Sequence, residues 1–313
     1  MFQWWRKVLN GAPTADQVLR QLPPTRQRLG EGAFVACVVD FDHETGEPME
    51  RKFARSLAGL VDACKPMVRS GHKRGNDGTS LPKEHAGWGK MAMAGLTFRP
   101  GDGTPQHIPG IWRYCSWVKG CTSQQMESIL QDVQKDIDTD WSWLEKTCPG
   151  VCMEYEEAVQ GLPHFVEVAS IRERVFMGSS PWCCLSVGDN YHAAPHKDCL
   201  DLCGALIRFV DDLSGHSSPR CCSDSNEFVM PELGVVVQTP SMAVLWCRTD
   251  KVRHGTMEPW FPETAFGLGF ARHGVPRRLA SARQLKRSVV NRLRKAAGGI
   301  QGGSRLLPAE HCN

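Results

Sequence analysis

Six short apolar runs constrain this chain more than any other feature: HFVEVASI (164–171), PWCCLSV (181–187), CGALIRFV (203–210), LGVVVQT (233–239), MAVLWCR (242–248) and FGLGFAR (266–272). Each is β-branched or aromatic-rich and too short for a stable helix, and Gly, Pro, Asp and Ser separate them. That pattern predicts an all-β unit across the second half. The first half differs. EGAFVACVVDFD (31–42) reads as a strand, and MERKFARSLAGLVDACKPMV (49–68) has apolar residues at helical spacing. From Ser123 to Lys146, the residues Met126, Ile129, Leu130, Val133, Ile137, Trp141 and Leu144 form one stripe, which predicts an amphipathic helix packed on a core. The Gly- and Pro-rich stretch from Gly71 to Gly110 argues against regular structure over much of its length. The expected organisation is an α/β region over 1–160, a β core over 161–275 and a basic helix and tail over 276–313.

Composition excludes several classes. No apolar run approaches the roughly 20 residues that cross a bilayer, so no membrane span is expected. The opening MFQWWRKVLNGAPTADQ interrupts with charges the apolar core that a signal peptide needs, which predicts an intracellular protein, nuclear or cytoplasmic. In that setting the 14 cysteines read as reduced and mostly buried. Cys199 and Cys203 with Cys221 and Cys222 do not match the compact spacings of structural zinc sites.

Charge is concentrated. The net charge is +3, yet Pro276 to Lys295 holds eight cations and no acid, leaving 3 − 8 = −5 for the remainder. Leu279, Ala282, Leu285, Val289 and Leu293 recur at spacings of three and four, which predicts a helix over 276–295 with its cations outward. Such a face would suit a phosphate backbone, a localisation signal or plain solvation.

Chemistry enters with GDNYHAAPHKDCLDL (188–202), where His196 and Asp198 stand two residues apart. On a strand, residues i and i+2 share a face, so both side chains can reach one ion. A third ligand is best sought in His254, at the end of the MAVLWCR strand region and 58 residues on, with His216 and His273 as alternatives. Two imidazoles and one carboxylate leave three positions of an octahedral ion open, the facial triad of non-haem Fe(II) oxygenases.

These residues carry a resemblance. SVGDNYHAAPHKDCLDLCGALIRFV followed by MPELGVVVQTPSMAVLWCRTDKVRHGT resembles the double-stranded β-helix core of the 2-oxoglutarate/Fe(II) dioxygenases, over residues 165 to 273. Within that superfamily it is similar to the TET/JBP-like branch, which oxidises the methyl group of modified bases in DNA. The resemblance implies an α+β protein with helices packed on a jelly-roll core, and His196, Asp198 and His254 as iron ligands. It implies co-substrate or substrate contacts from Asn190, Asp201 and Arg272. Arg272 lies 18 residues past His254, a longer offset than the roughly ten common in the superfamily, which keeps ascorbate beside 2-oxoglutarate as reducing co-substrate. Oxygen would be the oxidant, DNA the partner and a monomer the working form. Two other readings share these residues: a hydroxylase of protein side chains, and a non-catalytic β-sandwich binding module.

Overall fold

The structure is a computed structural model, and it describes residues 33–37, 48–64, 68–69, 89–97, 112–113, 120–168, 171–191, 193–212, 227–237, 239–256 and 277–298. Strand β1 (Ala33–Cys37) and helix α1 (Met49–Ala63) come first, then β2 (Val68–Arg69), β3 (Lys90–Thr97) and β4 (Trp112–Arg113). Helices α2 (Ser123–Thr147) and α3 (Pro149–Val159) lead to a hairpin of β5 (Phe165–Val168) and β6 (Ile171–Arg174). The remaining strands are β7 (Cys184–Asp189), β8 (Ala193–His196), β9 (Asp201–Asp212), β10 (Phe228–Met230), β11 (Val235–Val237), β12 (Ala243–Cys247), β13 (His254–Thr256) and β14 (Arg277–Lys286). Helix α4 (Arg287–Gly298) follows directly.

The protein is mixed α+β, with antiparallel sheets. The large sheet runs β1-β12-β9-β14-β7-β3-β2, with β4 paired to β3, and the small one runs β11-β10-β13-β8. Ala205, Ile207 and Phe209 of β9 and Leu245 of β12 share one apolar cluster with Phe228 and Met230 of β10, so the two sheets face each other. Helices cover the opposite side of the large sheet. There Phe53, Leu57 and Leu60 of α1 and Val133, Ile137, Trp141 and Leu144 of α2 pack on Leu185, Leu206, Val210, Leu279 and Leu285. The α2 stripe read from sequence is therefore the core face. Its start is fixed by a capping box, in which the Thr122 hydroxyl accepts from the Gln125 N–H and the Gln125 side chain accepts from the Thr122 N–H. Trp182 lies in this core as well, edge-on to Trp141 and Tyr155 at 5.2 and 6.0 Å.

Two expectations are corrected. Lys90–Thr97, inside the stretch set aside as irregular, is a strand paired to β7. More consequentially, 277–286 is not helical. It is β14, inserted between β9 and β7, and only Arg287–Gly298 is helix. The large sheet therefore draws strands from before residue 161 and from after residue 275. The spacing misled because β14 is buried on both faces and each face carries cations. Leu279, Ser281, Arg283 and Leu285 face the helices, whereas Ala280, Ala282, Gln284 and Lys286 face the small sheet. Leu279, Ala282 and Leu285 thus mimic a helical stripe while lying on different sides.

The cations of β14 do not point outward. Arg277 donates to both carboxylate oxygens of Asp62, at 2.9 and 3.0 Å, and to Asp189 at 2.9 Å. Arg278 donates to Asp211 and Thr239 at 2.7 Å each. Arg283 is fully buried and meets Asp140 of α2 at 2.5 Å, and Asp140 also accepts from Arg208 of β9. The Arg208 guanidinium covers the Phe53 ring at 4.2 Å. One α2 carboxylate therefore neutralises arginines on two adjacent central strands. Removing one partner of such a group leaves the others buried and uncompensated. Asp140→Ala should lower unfolding free energy by about 3–5 kcal/mol in urea titrations, with Arg208→Met and Arg283→Met costing less.

Asp136, one helical turn earlier, is buried, with only the Ser56 hydroxyl beside its carboxylate as a donor. Burial, reinforced by the charge of Asp140, pushes its carboxyl up to about 7 against the pull of Arg283 and Arg208. The folded value lies above the unfolded one, so the stability tied to this proton is full below about pH 4 and is lost as pH rises through about 7. Asp136→Asn should remove on the order of 2–4 kcal/mol of the stability difference between pH 5 and pH 8. Denaturant midpoints across that range check it.

Candidate metal centre

Strands β8 and β13 are each only four and three residues long, yet they set the site. They are antiparallel neighbours in the small sheet, and His196 at the end of β8 stands opposite His254 at the start of β13. The two imidazoles lie 4.7 Å apart between ring centres, and Phe228 of β10 stacks on His254 at 5.6 Å. Gly255 explains why the pair can close: a Cβ there would sit 2.7 Å from the Ala193 carbonyl and 3.0 Å from the Pro195 nitrogen. The glycine of the His-Gly pair is thus required for backbone approach, not for a turn.

Asp198 enters from the turn that follows β8. Its N–H donates to the Thr249 carbonyl at 2.8 Å, and its carbonyl accepts from the Asp201 N–H at 2.8 Å. The carboxylate then spans the two imidazoles. His196 Nε2 is 3.7 Å from one oxygen and His254 Nε2 is 3.6 Å from the other. One ligand atom from each of the three residues lies within 4.8 Å of the others, and among the described residues no other group of His, Cys, Asp and Glu side chains converges in this way. His254 Nδ1 faces the Val252 carbonyl at 3.0 Å. A carbonyl only accepts, so Nδ1 carries the proton and Nε2 presents its lone pair to the site.

Electrostatics keep the carboxylate available. Burial alone would push Asp198 up, but His254 and His196 in their protonated forms and the Lys286 ammonium hold it below the usual carboxylate range. The three donors are two neutral nitrogens and one anionic oxygen, with no thiolate, which fits a divalent ion such as Fe(II).

A cleft opens beside the triad between the two sheets. Its wall includes Met91 and Met93 of β3, Tyr191, Phe209, Phe228 and Ala282, with Ser186, Thr256, Gln284 and Lys286 as polar groups. Of these, only Tyr191, beside Asn190 ahead of the His-x-Asp motif, reads from sequence as a pocket-lining residue. The signal lay in the alternation of 280, 282, 284 and 286, which is visible only once 277–286 is read as a strand.

The other expected site residues fall elsewhere. Asn190 has φ 47° and exchanges two 2.8 Å bonds with the backbone of Arg278, donating its N–H to the carbonyl and accepting the Arg278 N–H on Oδ1. It ends β7 in the left-handed conformation that asparagine tolerates and does not line the cleft. Asp201 is fully buried and also lies off the cleft wall. Arg272, His216 and His273 lie outside the described residues, as do Cys221, Cys222 and Trp260. Trp246 packs in the core on the helix side of the large sheet. Nine described cysteines are free thiols, five of them buried.

No protein-family model matches the chain, and no curated protein matches it. Among solved structures, NgTET1 in complex with 5mC DNA aligns with a TM-score of 0.45 and 9% identity, covering 82% of this chain and 73% of that one. A likeness so distant establishes neither family nor activity. No helix among the described residues is long and apolar enough to cross a membrane.

Gly255→Ala should separate β13 from β8 with all three ligands present. Metal affinity in equilibrium titrations should fall by about tenfold or more, the range seen when groups that orient metal ligands are lost.

Proposed function

We propose that this protein is a non-haem Fe(II) dioxygenase that uses 2-oxoglutarate, and that its two facing sheets are the double-stranded β-helix of that superfamily. The observation that carries the reading is the convergence of His196, Asp198 and His254 at the mouth of a cleft between the sheets. The strand order supports it. The four-stranded sheet β11-β10-β13-β8 lies against β12-β9-β14-β7, so consecutive strands pass back and forth between the sheets. His196, Asp198 and His254 would hold the iron on one face. When bound, it would supply activation of O2, with the co-substrate as reductant, for oxidation of a C–H bond. The chain's own contribution is to present two neutral imidazoles and one ionised carboxylate, and to shield the reacting centre with Phe209, Phe228, Met91 and Met93.

The substrate we propose is the methyl group of a modified base in DNA, 5-methylcytosine or a relative. The cleft combines apolar and aromatic walls with a few amide and hydroxyl groups, which suits a flipped planar base. The support once expected from a basic terminal helix is reduced, because Arg277, Arg278, Arg283 and Lys286 are committed to internal carboxylates. Arg272 remains our proposed anchor for the distal carboxylate of the co-substrate, where a guanidinium pairs in two-pronged fashion. A monomer is the proposed working form.

Succinate release from 2-oxoglutarate under Fe(II) and ascorbate tests the reading. Methylated DNA should stimulate it at least about tenfold over unmodified DNA, and Asp198→Ala should abolish it. Stimulation by peptides instead would move the assignment to a side-chain hydroxylase. Absence of stoichiometric Fe(II) in the anaerobically loaded protein would remove it altogether.

A further inference from the structure

Asp201 sits three residues beyond the metal-binding carboxylate, at the start of β9, and is fully buried. Its two oxygens are bound from opposite sides. Thr249 Oγ1 donates to Oδ2 at 3.0 Å, and Lys286 Nζ donates to Oδ1 at 2.5 Å. Thr249 belongs to the turn that leads into β13 and His254, and its carbonyl also accepts the Asp198 N–H. Lys286 ends β14, directly opposite Asp201 in the pairing with β9. The backbone next to it is pinned too, since the Arg287 N–H donates to the Leu200 carbonyl at 2.7 Å.

Lys286 has a second carboxylate in reach of its charge. Its side chain lines the same cleft as Asp198. The buried carboxylate of Asp201, the half-buried one of Asp198 and one ammonium share this corner. An ammonium bonded to Asp198 would compete with a divalent cation for the same oxygens, whereas an ammonium bonded to Asp201 leaves those oxygens facing His196 and His254.

We infer that Asp201 is a positioning residue that sequesters the Lys286 ammonium, keeping Asp198 free to bind the metal, and that it makes no contact with substrate or co-substrate. This rests on the metal site proposed above. It assigns Asp201 a different task from the one its place after the His-x-Asp motif implies.

The charge, not the shape, is what the proposal makes decisive. Asp201→Asn keeps an oxygen for Thr249 but releases Lys286, and should weaken Co(II) binding to the full-length protein by about 10–100-fold, with a loss of Co(II) d–d absorption at equimolar metal. Asp201→Asn combined with Lys286→Met removes both charges and should restore affinity to within about threefold of the parent. Thr249→Val, which breaks the hydroxyl bond but leaves the ion pair, should also stay within about threefold. An unchanged Asp201→Asn, a double variant as weak as the single, or a tenfold loss on Thr249→Val would overturn the proposal. The last of these serves alone if Asp201→Asn does not fold. A parent protein that binds no Co(II) or Fe(II) would instead overturn the metal site itself, which separates the two failures.

Discussion

Neutralisation of β14 is the constraint around which the rest is arranged. A strand with the sequence RRLASARQLK would not be placed in the middle of a buried sheet on propensity alone. It is accommodated because each cation meets an acid from another element: Asp62 of α1 and Asp189 of β7 for Arg277, Asp211 of β9 for Arg278, Asp140 of α2 for Arg283, and Asp201, also of β9, for Lys286. Pairs of this kind contribute little net stability, since desolvating two charges offsets their attraction. Their effect is on uniqueness. A slip of β14 by one residue would turn Arg283 toward the apolar inter-sheet cluster and Ala282 toward Asp140, leaving several buried charges unmatched.

The same register sets the site. Because even-numbered residues of β14 face the small sheet, Ala280 and Ala282 leave open space opposite Phe228 and His254, and Gln284 and Lys286 border it. The cleft exists where the central strand carries its smallest side chains. Large side chains at 280 and 282 would fill it, as they do across the rest of the inter-sheet layer.

Local patterns in the sequence were enough wherever one element decides its own structure. The α2 stripe, its capping box and most of the longer apolar runs correspond to a helix and strands in the fold, and His196, Asp198 and His254 do come together. What could not be read locally was anything settled by partners distant in the chain. β14 looked helical because its cations, on both faces, are hidden by acids up to 215 positions away. β8, β10 and β13 are too short to carry a period, and they form only as mutual neighbours. Asn190 and Asp201 stand where a motif suggests ligand contacts, yet their oxygens are taken by the Arg278 backbone and by Lys286. Neither bond is visible until β14 has been placed.

The position of β14 also governs the order of assembly during synthesis. It separates β7 and β9, which leave the ribosome about 70 to 100 residues earlier. Until β14 arrives, those two strands have no partner on their facing edges, and Asp201 and Asp211 of β9 lack the cations that pair with them. Unpaired apolar edges of this kind invite association with other chains. The closing step is a long-range antiparallel insertion, which is intrinsically slow. Interruption of translation between β13 and β14 therefore yields a chain in which His196, Asp198 and His254 have all been made but the sheet beneath them lacks its central strand, an open half-product suited to chaperone capture.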